Sequence, residues 1–331
     1  MENICRAVID VGTNSVKLLV ADVAGHEVRP IIEQSKQTRL GHGFYETHRL
    51  KPEAIAATAT AVARFVALAS EARATSIRVF ATSAAREAVN REELTAAVER
   101  ASGLRVEVIS GEQEADWGFQ GVTSDPELAQ TPLLLTDVGG GSAQFILGRD
   151  GGKLIRHSFP LGSVRLLETF PCSDPPTPAE LAACRQWLKD FLRKEVRPKL
   201  NRVMGDSKSR LEADHNLLEL AATGARGAVQ LVGVGGTATI LGCMEANLEV
   251  FDRTRIEATR LSAARVSWHL ERLWSLPLEA RKKIIGLPKN RADVILMGVA
   301  IYQAVMQEFG FRELRISTRG LRFAAVMDGV E

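Results

Sequence analysis

Few of the residues that announce a particular chemistry are plentiful in this sequence. Its four cysteines, Cys5, Cys172, Cys184 and Cys243, form no CxxC pair, so the spacing gives neither a disulfide framework nor a cysteine zinc site. The six histidines are scattered without an HxxxH pair, which leaves no histidine-rich dinuclear phosphohydrolase site visible. Aromatic residues make up 5% of the chain, too thin for the stacking platforms of single-stranded nucleic-acid binders. Charge of neither sign dominates: 42 Lys+Arg against 40 Asp+Glu argue against a nucleic-acid coat or a polybasic anchor, though a local basic groove fits within a balanced total. No apolar run approaches the roughly 18 residues of a membrane span. The opening MENICRAVIDVGTN lacks the charged start and cleavage site of a signal peptide, so the expected location is the cytoplasm.

What is present is length, apolar residues and glycine turns. With 331 residues and a hydrophobic fraction of 45%, two domains are expected at roughly 150 residues each. Cys5 to Asp10, Val16 to Val23 and Val28 to Ser35 read as three antiparallel strands joined by tight turns. Pro52 to Glu71 places Ile55, Ala59, Val62, Val66 and Ala69 on one helical face, with Pro52 in the first turn. The strand IRVFAT, a helix with a capping-box pair at Asn90 and Glu93, the strand RVEVIS and a helix opened by Gly111 and Glu112 follow. This order predicts an α/β fold with a mixed sheet. The second half begins again in the same way: LLLTDVGGGS, AQFILGRDG and KLIRHSFPLG precede a helical stretch from Pro178 to about Val203. Asp10, Val11, Gly12 and Ser15 match Asp137, Val138, Gly139 and Ser142 in register, which reads as an internal duplication. A third glycine turn, LVGVGGTATILG, follows, and from Leu261 to Met327 helical stretches alternate with the single strand LRIST. Polar and turn residues at Ser124, Asp125 and Pro126 mark a domain boundary.

Glycine turns let backbone N–H groups approach a ligand, and consecutive amides form an anion-binding nest. Gly12, Thr13, Asn14 and Ser15, then Gly139, Gly140, Gly141 and Ser142, then Gly233 to Thr237 together point to an oligo-anion; each alone is equally a hairpin turn. Asp10 and Asp137 introduce two of the turns and are candidate ligands of a divalent cation. No GKS or GKT follows the glycines, and GxGxxG is absent from the first strand-turn-helix unit, so P-loop and dinucleotide readings are demoted. In ATSAAREAVN, Ser83 and Arg86 follow a strand and open a helix, a phosphate grip or an exposed arginine paired with Glu87 or a neighbour. Of Glu112 and Glu114, two apart on a helix, one at most aims into a site. Glu114 is the candidate base that activates water.

The motifs IDVGTNSVKLLV, TRLGHGF, ATSAAREAVN, VEVISGEQEA, TDVGGGSAQF, FPLGSVRLLE, LVGVGGTATILG, NRADVILMG and ISTRGLR resemble, in order, those of the exopolyphosphatase and guanosine pentaphosphate phosphohydrolase family. The resemblance implies two duplicated actin- and sugar-kinase-like (ribonuclease H-like) α/β domains with an interdomain cleft. It puts the first domain at 1–124 plus 312–331, the chain crossing back at its end, and the second at 125–311. It implies Asp10 and Asp137 as metal ligands, Gly12 to Ser15 and Gly139 to Ser142 as phosphate turns, Arg86 as substrate arginine and Glu114 as catalytic glutamate. Arg39 in RLGHG and Arg165 in PLGSVR, with Gln144, would line the substrate channel. Two positions depart from the family pattern: Gln144 stands where a glutamate is usual, and Phe323-Ala324 where an acidic residue and glycine are usual. An amide cannot neutralise a cation, which puts full activity in question.

The leading expectation is a Mg2+ (or Mn2+) dependent phosphohydrolase releasing terminal phosphate from inorganic polyphosphate, with guanosine pentaphosphate as a second substrate. A weakly active or inactive sensor that binds polyphosphate or guanosine tetraphosphate is the alternative, and a sugar kinase the third reading. The expected partners are polyphosphate or a guanosine polyphosphate and a second copy in a homodimer, with neither nucleic acid nor membrane.

Overall fold

The computed structural model describes residues 3–149, 152–201 and 229–328. It divides into two compact units, one made of Met1–Ser124, Gly140–Ser142 and Arg319–Glu331, the other of Asp125–Gly139 and Ala143–Thr318.

In the first unit, β1 (Ile4–Val11), β2 (Ser15–Ala24) and β3 (Glu27–Gln37) form an antiparallel meander. β4 (Ser76–Ala81) and β5 (Val106–Val108) extend it in parallel, in the order β3-β2-β1-β4-β5. Successive residues of a strand face opposite sides, and β1 uses both. Ala7, Ile9 and Val11 join a core with α1 (Pro52–Glu71), α2 (Ser83–Glu87) and α3 (Arg91–Ser102). Val8 packs on the other side with Trp117 of α4 (Gly111–Thr123) and with the C-terminal residues Leu321, Phe323 and Val326. Asp10 shares the Val8 side of the strand, the side on which α4 lies.

Helix α1 is long and apolar enough, by length and composition, to cross a bilayer, whereas the sequence reading found no such run. Its alanines and aliphatics are interrupted by only a few charges, yet Ile55, Ala59, Val62, Phe65 and Ala69 are buried in the core of the first unit. The capping box at Asn90 and Glu93 does not form, because no cap bond comes from the Asn90 side chain. That amide instead accepts from Leu50 N (2.9 Å) and donates to Leu50 O (3.1 Å), satisfying a buried stretch of backbone.

The second unit repeats the plan. After α5 (Pro126–Ala129), β6 (Leu133–Val138), β7 (Ala143–Arg149) and β8 (Gly152–Phe159) make a second antiparallel meander. α6 (Ser163–Thr169), α7 (Pro178–Phe191) and α8 (Arg197–Asn201) follow, α7 and α8 joined by a π-helical turn at Leu192–Val196. The end of the expected Pro178 to Val203 helix, and the turn at Asp150 and Gly151, lie outside the described residues. β9 (Gln230–Val234) pairs parallel with β6 and leads into α9 (Gly235–Glu245). α10 (Arg253–Ala258), β10 (Arg260–Ser262), α11 (Ala263–Ser275), α12 (Leu278–Arg281), α13 (Ile295–Phe309) and β11 (Glu313–Ile316) complete it, with strand order β10-β11-β9-β6-β7-β8. Set beside the first sheet, β6, β7 and β8 repeat β1, β2 and β3, β9 repeats β4 and β11 repeats β5. The α/β class and the duplicated actin-like plan therefore hold. β10 is an additional strand, and its three residues are too few to show a period of two. Residues 312–318, assigned by the sequence reading to the first domain, carry β11 of the second sheet and lie in the second unit; the chain returns to the first unit at Arg319 as α14 (Leu321–Met327).

Candidate active site

In the first unit, the parallel strands bring the predicted residues to one end of the strands. The register pairs Asp10 with Phe80, Val11 with Ala81, and Ala81 with Val108. Asp10, the start of α2 and the start of α4 therefore follow neighbouring strand ends. The turn after Asp10 is a hairpin closed by Gly12 N on Ser15 O (3.0 Å), so the Gly12 amide is spent. Thr13 O accepts from Gly41 N (2.7 Å), while Asn14 O accepts from Thr38 N (3.2 Å) and Arg39 N (3.1 Å). The loop behind the turn thus holds its carbonyls, and the amides of Thr13 and Asn14 have no partner among the described residues, the arrangement an anion nest requires. Thr13, Asn14 and Ser15 are buried, and Asn14 Nδ2 and Ser15 Oγ lack partners. Arg39 is exposed and adopts a positive φ of 53°.

Arg86 is tied down at one corner. Its Nη1 donates to Ile109 O (3.0 Å) and to Glu114 Oε2 (3.1 Å), and neither Nε nor Nη2 has a hydrogen bond among the described residues. The Arg86 side chain is 24% exposed and that of Glu114 11%. An anchored fork with open donors is suited to phosphate oxygens. The pairing of Arg86 with Glu87 does not occur; Glu87 instead accepts from Ser83 Oγ (2.8 Å), whose side chain is buried. Glu112 is exposed and Glu114 half-buried, as two residues at this helical spacing should differ. The Ser110 hydroxyl, accepting from Gln113 N (3.1 Å), caps α4 and sets its direction.

In the second unit, Asp137 ends β6 in the position Asp10 occupies in β1. Gly139 O is held by Ser163 N (2.9 Å) and Ser163 Oγ (3.3 Å), the counterpart of the bracing in the first unit. Gly141 and Ser142, which belong to the first unit, are buried. Gln144 stands directly opposite Asp137 across the β6–β7 ladder, 2% exposed, with Nε2 donating to Ser158 Oγ (3.1 Å). Arg165 is half-buried on α6. The third turn shapes Asp137 too. Gly235 has φ +84°, and a Cβ there would meet Asp137 Oδ1 at 2.1 Å, so only glycine fits against the carboxylate.

Among the described residues, no three His, Cys, Asp or Glu side chains gather to hold a metal ion. Asp10 and Asp137 bring one strand-end carboxylate to each unit. Such sparse, hard oxygen donors fit Mg2+, which keeps several waters and binds through one or two carboxylates plus substrate phosphates. They do not fit a nitrogen- or sulfur-ligated zinc.

Two residues near the aspartates escaped the sequence reading. Lys17 lies opposite Asp10 in the β1–β2 register, with Nζ 3.7 Å from Oδ2. Counting across the hairpin from Asp10 would have found it. Tyr302 on α13 is fully buried and its hydroxyl lies 2.9 Å from Thr136 O and 3.2 Å from Val234 O, joining β6 to β9 beside Asp137. Burial, reinforced by the Asp137 charge, holds its phenol well above the usual range. Nothing in its helical segment distinguishes it from an ordinary core tyrosine.

The family model for the Ppx/GppA phosphatase family matches residues 19–330. Exopolyphosphatase 2 of Mycobacterium tuberculosis is 32% identical over 98% of this chain and 96% of its own length. Among solved structures, a Ppx/GppA phosphatase of Aquifex aeolicus has a TM-score of 0.70 at 28% identity, covering 99% of this chain and 100% of that one. An exopolyphosphatase-like protein reaches a TM-score of 0.83 at 27% identity, covering 99% and 98% of the two chains.

Proposed function

Because the chain belongs to the Ppx/GppA phosphatase family, we propose that it is a magnesium-dependent hydrolase that releases terminal phosphate from inorganic polyphosphate. The observation that carries this reading is the Arg86–Glu114 pair: a guanidinium anchored through Nη1, with Nε and Nη2 unbonded among the described residues, beside a half-buried carboxylate on α4. Arg86 grips the oxygens of the terminal phosphoryl group. Glu114 orients the attacking water and takes its proton, and the amides of Thr13 and Asn14 receive charge developing on the phosphoryl oxygens. Mg2+ would neutralise phosphate charge, with Asp10 the carboxylate that would hold it in the first unit and Asp137 its counterpart in the second. Asn14 Nδ2 and Ser15 Oγ supply further donors in the first turn, the turn Gly139 to Ser142 is its repeat, and Arg39 and Arg165 are the remaining cationic candidates for the substrate channel. Polyphosphate is favoured over guanosine pentaphosphate because these residues recognise phosphate alone, and the name of the Mycobacterium tuberculosis relative agrees with that choice.

Phosphate release from long-chain polyphosphate and from guanosine pentaphosphate, each with and without magnesium, tests the reading. Faster magnesium-dependent release from polyphosphate is expected. Tight binding of either compound without release would favour a sensor of polyphosphate or guanosine tetraphosphate, the second reading. The observation behind that reading is Gln144, an amide already satisfied by Ser158 where the family pattern has a carboxylate.

A further inference from the structure

The residues on either side of Asp137 each have their carbonyl held by a hydroxyl from elsewhere in the second unit. Before it, Thr136 O accepts from Tyr302 Oη of α13 (2.9 Å). After it, Val138 O accepts from Thr237 Oγ1 of α9 (3.2 Å). The Tyr302 hydroxyl also lies 3.2 Å from the carbonyl of Val234, which pairs with Asp137 across the β6–β9 ladder and precedes Gly235. A phenol has a single hydrogen to donate, so this one is shared between two strands at the level of the aspartate. Both hydroxyl-bearing residues are buried.

The surrounding packing makes room for these two contacts. A Cβ on Gly233 would come within 3.1 Å of Tyr302 Cε1 and Oη, and one on Gly298 within 2.6 Å of both Cγ2 and Oγ1 of Thr237. Gly298 and Tyr302 are four residues apart on α13 and so share a face of that helix. A core that needed only apolar packing would be served by Phe at 302 and Val at 237, without the cost of burying hydroxyls. Here both hydroxyls bear on the same strand end. They restrain the backbone on each side of Asp137, and the backbone of Gly235, against Oδ1, limits how far the carboxylate can swing.

Resting on the reading of Asp137 as a cation ligand, we propose that Tyr302 and Thr237 are positioning residues, whose hydroxyls fix the end of β6 so that the Asp137 carboxylate is set for a divalent cation before substrate arrives. The test is Mn2+ binding to the full chain, followed by the paramagnetic resonance of the free ion, with phosphate release measured in parallel over a range of magnesium. Tyr302→Phe should weaken Mn2+ binding about tenfold, the scale of losing a group that orients a metal ligand, and raise the magnesium needed for half-maximal release similarly. At saturating magnesium the KM for polyphosphate should stay as in wild type. A purely structural role would instead lower kcat in step with the folded fraction and leave the magnesium requirement in place. Thr237→Val should weaken binding in the same way and Thr237→Ser, which keeps the donor, should restore it; this pair decides if Tyr302→Phe fails to fold. Equal loss in the Ser and Val variants overturns the role of the hydroxyl. Asp137→Asn separates the two readings. If it abolishes Mn2+ binding while the folded Tyr302 and Thr237 variants bind as wild type, the positioning role falls and the cation site stands. If it binds Mn2+ as wild type does, the cation site at Asp137 falls and the positioning role with it.

Discussion

At the scale of single residues, the chemistry rests on an arginine held through one nitrogen, with its other donors open among the described residues. Arg86 and Glu114 restrain each other, so replacing either changes the other's setting. Glu114→Gln keeps the shape and a hydrogen-bond acceptor for Arg86, and should lower phosphate release from polyphosphate by about 10²-fold or more, the scale of a lost general base. Circular dichroism and melting should remain those of wild type, and near-normal release would assign the base elsewhere. Gln144→Glu places a second carboxylate directly across the ladder from Asp137, where side chains are about 5 Å apart. Melting temperature should fall without magnesium and recover with it, and turnover should rise; a variant indifferent to magnesium would dismiss the lost carboxylate as the limiting feature. The sequence exposed Asp10, Arg86, Glu114 and Asp137 because their residue types and places after apolar runs are informative by themselves. It hid Lys17 and Tyr302, whose significance comes from what the ladder or the packing sets beside them. Asn90 shows the reverse: a locally plausible cap whose amide is claimed by Leu50, distant in sequence.

Among the elements, α7 carries the capping box that the sequence reading placed on α3. Thr177 Oγ1 accepts from Glu180 N (3.3 Å), and Glu180 Oε2 accepts from Thr177 N (2.6 Å). Thr177→Ala should destabilise by about 1 kcal/mol, read by denaturant unfolding. Hydrogen bonds from the Thr177 backbone, then from the Ser173 backbone and hydroxyl, hold the Glu180 carboxyl down at about 2, against an ordinary 4.5. A depressed carboxylate pKa contributes stability that is fully present above 4.5 and is lost as pH falls towards 2. The melting difference between wild type and Glu180→Gln should therefore narrow across that window, and a constant difference would refute the linkage. Strand and helix order was legible because each element is long enough to show its period. β10 was not, being three residues paired at an edge, and the return of the chain was placed early because LRIST, although read as a strand, gives no sign of which sheet it joins.

For the whole molecule, the departure at Phe323 has a packing explanation. Phe323 is buried with Val8, Leu19, Phe80 and Trp117 in the core beneath α14, so an acidic side chain at this position would lose its water. Phe323→Ala should cost about 3–5 kcal/mol, seen as earlier melting, with activity falling only in step with the folded fraction; lost activity at full folding would give Phe323 a role in the site. Gly121 on α4 is held to its identity by the same packing, since a Cβ there would lie 2.3 Å from Gly320 O.

The late return of the chain to the first unit also bears on the order of synthesis. Val8, Leu19, Phe80 and Trp117 leave the ribosome long before Leu321 to Val326, the residues that cover them. The part of this face of the first sheet that α4 does not cover must therefore wait until Leu321 to Val326 emerge, by which time nearly all of the second unit has been made. Slowing elongation through the second half should prolong that exposure, lengthening the interval in which a nascent-chain chaperone can be crosslinked to β1 and β2.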